Sequence, residues 1–282
     1  MNLTAISAAS TTLNLEQAEL VNIRLVSVST EAGASSLFNP VFQQRIKPKT
    51  KMELNAVIAS GITNHDLEFA PSFADSVENI ERQAFLNQET NNYYLCFSDY
   101  TQRLLKAEYE RTDRTEPFNV TCLDNWIDVQ KLYKKYYGDK QVRDNGALVA
   151  LPFNLRALYY YFNIAGYIYP DNYDEKAYNP ARQTSIIGAL YVALLNKLGL
   201  DISDPETHAR MAKESREPTI LTYMPFGKHK GEKIADILDN DFEYFIWMRN
   251  ETDFLTEGKE KFHEELACTL STLLSKRNAN AN

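Results

Sequence analysis

Cysteine is scarce in this chain, and the three present, Cys96, Cys122 and Cys268, are odd in number, widely spaced and in no metal-like pattern. That argues against a disulfide framework or a zinc site and fits reduced, buried thiols in a cytoplasmic protein. Long apolar runs are also missing. The longest uncharged one, Ile186–Leu195, is about half of the ~20 residues that span a bilayer, and no basic stretch precedes an apolar run at the N-terminus. The reading is of a soluble, cytoplasmic chain with no membrane partner. Positive charge is in deficit: Lys and Arg total 30 against 38 Asp and Glu, a formal net charge of −8. This speaks against a dedicated nucleic-acid coat protein but leaves room for a local basic groove. Repeats and low-complexity tracts are absent. With 282 residues, 44% of them hydrophobic, the chain can bury one main core and a smaller appended one.

What is present is ordered. Residues 6–13 and 20–28 alternate apolar and polar positions and predict an opening hairpin, and Phe38 to Pro48 predicts a third strand that ends at a proline. Gly61 permits a close turn, Thr63 can cap the short helix after it, and Ser72 can cap a helix running to about Leu86. Asn92–Phe97 reads as a buried strand and Tyr100–Arg111 as a helix. Leu123–Leu132 reads as a strand turning into a helix, with Asp128 at the N-cap. Asn154–Ile164 carries a tyrosine run on helical spacing, at least half of it core. A long apolar helix starts at Gln183 and stops near Gly199. Residues 201–218 turn polar and charged and suggest a linker or loose helix between domains. An amphipathic helix bearing Ile237, Leu238, Phe242, Tyr244, Phe245, Trp247 and Met248 follows, then a last helix over 258–276.

Several of these stretches together resemble the DnaQ-like (DEDD) 3′–5′ exonucleases, in the order found in exonuclease X-like proteins. They are the Thr11-Thr12-Leu13 turn, the Gly61-Ile62-Thr63 segment with Ala70-Pro71-Ser72-Phe73 behind it, Leu105 to Glu108, the helix from Gln183, and Met224-Pro225-Phe226-Gly227-Lys228-His229-Lys230-Gly231. The resemblance covers nearly the whole chain. It implies an α/β, RNase H-like mixed sheet flanked by helices over residues 1–200, a linker over 201–218 and a small C-terminal hairpin-helix domain over 219–282. It also implies that four carboxylates hold two catalytic Mg2+ ions. Aligned on these motifs, Ala8 and Ser10 stand at the two acids of the first strand, Thr101 at the third, Gln183 at the fourth and Tyr178 at the general-base histidine, while Ser60 replaces a substrate-facing histidine. A methyl group offers no ligand and a hydroxyl or amide a poor one for two hard divalent ions about 4 Å apart. Asp99 lies two positions off, and Asp171, Asp174 and Glu175 restore no spacing.

The expectation is therefore an inactive exonuclease homologue that binds a nucleic-acid single strand or 3′ end, with no metal or other cofactor. Thr11, Thr12, Ser60, Gly61 and Ile62 would line the groove, and Lys228, His229, Lys230 and Lys233 would meet phosphates. Two alternatives stand beside it: a protein-interaction scaffold with a vestigial groove, and an active exonuclease with displaced ligands. The resemblance also implies a homodimer as an option.

Overall fold

The computed structural model describes residues 2–30, 37–86, 92–115, 123–144, 147–168, 177–257 and 262–280. Cys122, Asp171, Asp174 and Glu175 lie outside them. The chain divides into two compact units, residues 1–130 with 154–216, and residues 131–153 with 217–282. Among the described residues no helix is long and apolar enough to cross a membrane.

In the first unit, β1 (Asn2–Ser10), β2 (Leu20–Val28) and β3 (Phe38–Arg45) form an antiparallel meander. The edge position of β3 accommodates Pro40, which has no N–H to give to a further strand. α1 (Leu54–Ser60) stops at Gly61, whose φ of +70° supplies the left-handed cap. α2 (Phe73–Ile80) starts in a capping box between Ser72 and Asp75. A π-helical stretch, Glu81–Leu86, carries it to the expected end. β4 (Asn92–Cys96) then pairs parallel with β1. After α3 (Tyr100–Arg111), β5 (Trp126–Asp128) pairs parallel with β4 and completes a mixed sheet of order β3-β2-β1-β4-β5. The Asp128 carboxylate accepts the Ser98 N–H at 3.1 Å, joining the ends of these two strands.

Helix α4 (Val129–Tyr137) leads into β6 (Gln141–Asp144) and β7 (Ala147–Ala150), an antiparallel pair of the second unit. The chain returns to the first unit with α5 (Leu155–Tyr161), capped by Asn154, α6 (Ala165–Ile168), α7 (Gln183–Leu198), capped by Gly199, and α8 (Pro205–Arg216). Of the tyrosine run, Tyr159 is buried while Tyr160 and Tyr161 are exposed.

Strand alternation gives the sheet two distinct faces. Ile6, Ile23, Tyr94 and Cys96 on one face bury against α2 and α3 through Phe73, Val77, Leu104 and Leu105. On the other face α7 lies so close that a Cβ on Gly188 would come within 2.9 Å of Val28 Cγ2 and 3.0 Å of Phe38 Cε1.

Of the two forms open to residues 201–218, the structure has the helical one over Pro205–Arg216. Their polar composition hides a helix, α8, that packs on β5 and buries His208, Met211, Ala212 and Ser215. His208 Nε2–H donates to the Ile202 carbonyl at 2.8 Å, which leaves Nδ1 to accept the Tyr191 hydroxyl at 2.8 Å. Burial pushes its pKa below the ordinary histidine value, against the opposing pull of the Ile202 carbonyl, Asp204 and Asp201. A histidine whose pKa is lower folded than unfolded adds stability that is present above about 6.5 and lost as pH falls toward the folded value. Stability is thus expected to drop between pH 7 and 5, with a shallower drop in His208→Gln. Denaturant titrations across that range check it, and parallel curves for the two proteins would refute it.

The second unit has its own core. α9 (Ile234–Asn240), α10 (Phe242–Glu251) and α11 (Glu264–Asn280) bury Ile237, Leu238, Tyr244, Phe245, Met248, Leu266 and Leu270 around Met224. The single amphipathic helix expected here breaks at Asp241, which leaves Phe242 and Trp247 exposed. Gly227, at φ +77°, lies where a Cβ would run into the Tyr244 hydroxyl, so the tight hairpin before α9 needs glycine there.

Candidate nucleic-acid interface

A cavity of about 180 Å3 opens in the first unit where β1, β2 and β3 meet the start of α7 and the turn after α1. Its floor follows from sheet register. Ser7 pairs with Arg24 and Ala9 with Asn22 across β1 and β2, while Arg24 pairs with Gln43 and Asn22 with Arg45 across β2 and β3. Directly paired residues share a face, as do residues two apart along a strand. Ser7, Ala9, Asn22, Arg24, Gln43 and Arg45 thus form one polar surface beneath α7. The Ser7 hydroxyl meets the Thr184 hydroxyl of that helix at 2.6 Å.

This register shows which face each residue of the first strand occupies. Ala8 and Ser10, expected at the positions of the two lost acids, belong to the opposite face. Ala8 lines the cavity wall from between its neighbours but packs against the core cluster of α2 and α3. Ser10 is buried, donates to the Thr12 carbonyl at 2.6 Å and is hydrogen-bonded to the Tyr100 hydroxyl. Along α7 the residue facing β1 is Thr184, one past Gln183. The Gln183 amide donates to the Ala59 carbonyl at 3.1 Å and to the Tyr178 hydroxyl at 3.3 Å, so those two expected positions do meet. Burial, ahead of all other causes, raises the Tyr178 pKa, which keeps the phenol neutral. Thr101 is buried beside Tyr100 at the start of α3 and does not line the cavity.

The other expected contacts divide in the same way. Ser60, Gly61 and Ile62 line the cavity, although Ser60 Oγ donates back to the Ala56 carbonyl at 2.7 Å. Thr11 and Thr12 are buried turn residues. Thr11 Oγ1 accepts the Glu19 N–H at 3.1 Å, and Thr12 Oγ1 donates to Glu53 Oε2 at 2.9 Å, so neither hydroxyl faces a ligand. In the second unit Lys228 is held by Asp241 at 2.7 Å and lies over the Tyr244 ring at 4.9 Å. His229 sits between Asp241 and Glu232 at 2.9 and 3.0 Å, and hydrogen bonds to these carboxylates, Asp241 first, raise its pKa. Lys230 and Lys233 are exposed and in no ion pair among the described residues.

Electrostatically, the cavity inverts what the motifs imply. Among the described residues it is lined by two arginines, Arg24 and Arg45, and by no aspartate or glutamate. Arg24 Nη1 is anchored on the Ala181 carbonyl, and burial, then the neighbouring Arg182, holds its pKa below the usual arginine range. Arg45 is shared with Asp66 at 3.0 Å. Motif reading missed Arg24, Asn22, Gln43 and Arg45. The signal was the even spacing of polar residues along β2, which marks a solvated face.

Among the described residues no group of three or more His, Cys, Asp or Glu side chains is placed to hold a metal ion. The donor set of hydroxyls, amides and guanidinium groups does not fit Mg2+, which requires anionic oxygens.

Sheet order and helix placement give an RNase H-like fold, a mixed five-stranded sheet flanked by helices. No family model matches the chain, and no curated protein matches it either. Among solved structures it is similar to exonuclease I in an ExoI/SSB-Ct complex, at 12% identity over 75% of this chain and 42% of that chain, with a TM-score of 0.51. It is also similar to exonuclease X in complex with 5′ overhanging duplex DNA, at 18% identity over 74% of this chain and 99% of that chain, with a TM-score of 0.44. A third is the nuclease domain of 3′hExo, a DEDDh family member bound to rAMP, at 16% identity over 71% of this chain and 94% of that chain, with a TM-score of 0.48.

Proposed function

We propose that the protein holds a nucleic-acid single strand or 3′ end without hydrolysing it, as a recognition or regulatory subunit. One observation carries this reading: among the described residues the cavity has two arginine guanidinium groups and hydroxyl and amide donors, and no acid. An acid-lined site repels phosphate until metal ions neutralise it, whereas this surface attracts phosphate directly.

The test is fluorescence anisotropy with labelled single-stranded DNA and RNA at low salt, run with a gel assay for trimming in Mg2+ and Mn2+. Binding without shortening of either strand is expected. Metal-dependent trimming by clean protein that is lost in Asp99→Ala or Asp171→Ala would establish the active-nuclease alternative. No binding of either strand would leave the scaffold alternative standing. The exposed lysines allow a finer prediction. If Lys230 and Lys233 touch phosphate, each alanine substitution lowers the slope of log affinity against log salt by about 0.7–0.9. Thermal stability should stay unchanged, since neither side chain is in an ion pair. An unaltered slope in the double variant would confine binding to the first unit.

A further inference from the structure

The second unit contains a larger cavity, about 820 Å3, that nothing above uses. It is lined by consecutive residues of two segments, 148–153 and 219–225. Because successive side chains of an extended segment point to opposite sides, a cavity touched by both parities runs along the backbone edges.

The hydrogen-bonding pattern says which groups those edges present. Leu151 N–H donates to the Lys140 carbonyl at 2.9 Å, in register with the ladder in which Val142 faces Val149. Bonded and non-bonded pairs alternate in an antiparallel ladder, so Leu148 and Ala150 direct their N–H and C=O off the free edge of β7. On the facing segment, Met224 N–H donates to Glu232 O at 2.8 Å and Ile234 N–H to Thr222 O at 3.0 Å, bracketing the Tyr223–Lys233 bridge. Tyr223 therefore turns its own N–H and C=O away from Lys233, where no described residue takes them. Both edges carry exposed apolar side chains, Leu148 at 60%, Val149 at 36% and Ile220 at 45% of their full exposure. An edge this apolar and unprotected is unusual in a protein that does not pair it.

A buried polar atom lies in the same cavity. Thr219 is only 3% exposed, and its hydroxyl has no hydrogen-bond partner. Buried hydroxyls are rarely left unpaired, because desolvation without a partner is unfavourable. The lysines and glutamates on the wall, Lys134, Lys230, Glu232 and Glu265, balance in charge and select neither an acid nor a base.

We propose that this slot binds an extended peptide of a partner protein by strand addition, with apolar side chains at alternate positions and a main-chain group taking the Thr219 hydroxyl. Main-chain hydrogen bonds to Leu148, Ala150 and Tyr223 would give affinity, and the apolar walls would select the side chains. The proposal is independent of nucleic-acid binding by the first unit.

The experiment selects nine-residue peptides from a random phage-displayed library on the full chain and measures a synthetic winner by fluorescence anisotropy. Enriched peptides are expected to alternate apolar and other residues. Ala150→Pro should weaken binding at least tenfold with the thermal midpoint unchanged, since proline removes only the outward N–H of an edge strand. Thr219→Val should weaken it several-fold. Methylating single peptide nitrogens keeps the test open should Ala150→Pro not fold: only alternate positions should matter. No enrichment, or binding insensitive both to the substitutions and to methylation position, would overturn the proposal.

Discussion

Replacing Glu108 with alanine is expected to destabilise the first unit by about 2–4 kcal/mol, the range for breaking a buried, charge-assisted hydrogen-bond network. Glu108 is 6% exposed. One of its oxygens accepts the Leu20 N–H at 2.7 Å and the Arg111 Nη1 at 2.6 Å, while Arg111 also reaches the Ala18 carbonyl. The network thereby ties the entry of β2 to the end of α3. Alanine would orphan a buried N–H at the first residue of β2. Glu108→Gln keeps an acceptor and should lose less. It should also change the pH response. Burial raises the Glu108 pKa, against the lowering pull of Leu20 and Arg111, so this group binds protons more readily folded than unfolded. Its contribution therefore favours folding at low pH and declines as pH rises from the ordinary carboxylate value through the raised one. Urea titrations at pH 4.5 and 7 measure both effects; an alanine variant as stable as the parent would show that Leu20 and Arg111 find other partners.

How far the sequence could be read is clear from particular positions. Local chemistry was legible: Gly61 and Gly199 end their helices, Ser72 and Asn154 cap theirs, and α3 spans the residues its apolar spacing requires. The opening strands were legible too, because their largely alternating pattern over residues 6–13 and 20–28 marks a hairpin. What motif alignment could not show was which face of the strand each residue takes. Side chains have period two along a strand, so the step from Ala8 and Ser10 to Ser7 and Ala9 moves a pair from the core face to the cleft face. Only cross-strand pairing, here Ser7 with Arg24, settles that. Residues 201–218 left two forms open because the apolar part of α8 is small: Met211 and Ala212 are its buried aliphatic positions, and a buried histidine does the rest. The division of the chain was hidden for a different reason. Residues 131–153 belong with 217–282, and composition does not register contacts between segments so far apart in sequence.

The second large effect concerns charge in the cleft. Ser7→Asp is expected to weaken oligonucleotide binding in chelator by about tenfold to a hundredfold, corresponding to ~1.4–2.8 kcal/mol. The side chain at position 7 is directly cross-strand from Arg24 and touches Thr184, so a carboxylate there neutralises the guanidinium and faces the phosphate it would bind. Two unit charges 4 Å apart near a protein surface interact by about 4 kcal/mol at an effective dielectric of 20, and solvent screening reduces that toward the expected range. Arg24→Ala should lose affinity in the same direction, and Mg2+ should not rescue Ser7→Asp, because one carboxylate among hydroxyls does not assemble a two-ion site. Ser10→Glu is the contrasting variant. Position 10 is buried against Tyr100, so a glutamate there should lower the thermal midpoint instead of acting on binding alone. If Ser7→Asp binds as the parent does while Ser10→Glu folds normally and loses affinity, the face assignment of β1 is reversed. If all of these variants bind as the parent does, the strand is held elsewhere on the protein, and the arginine-lined cavity is not its site.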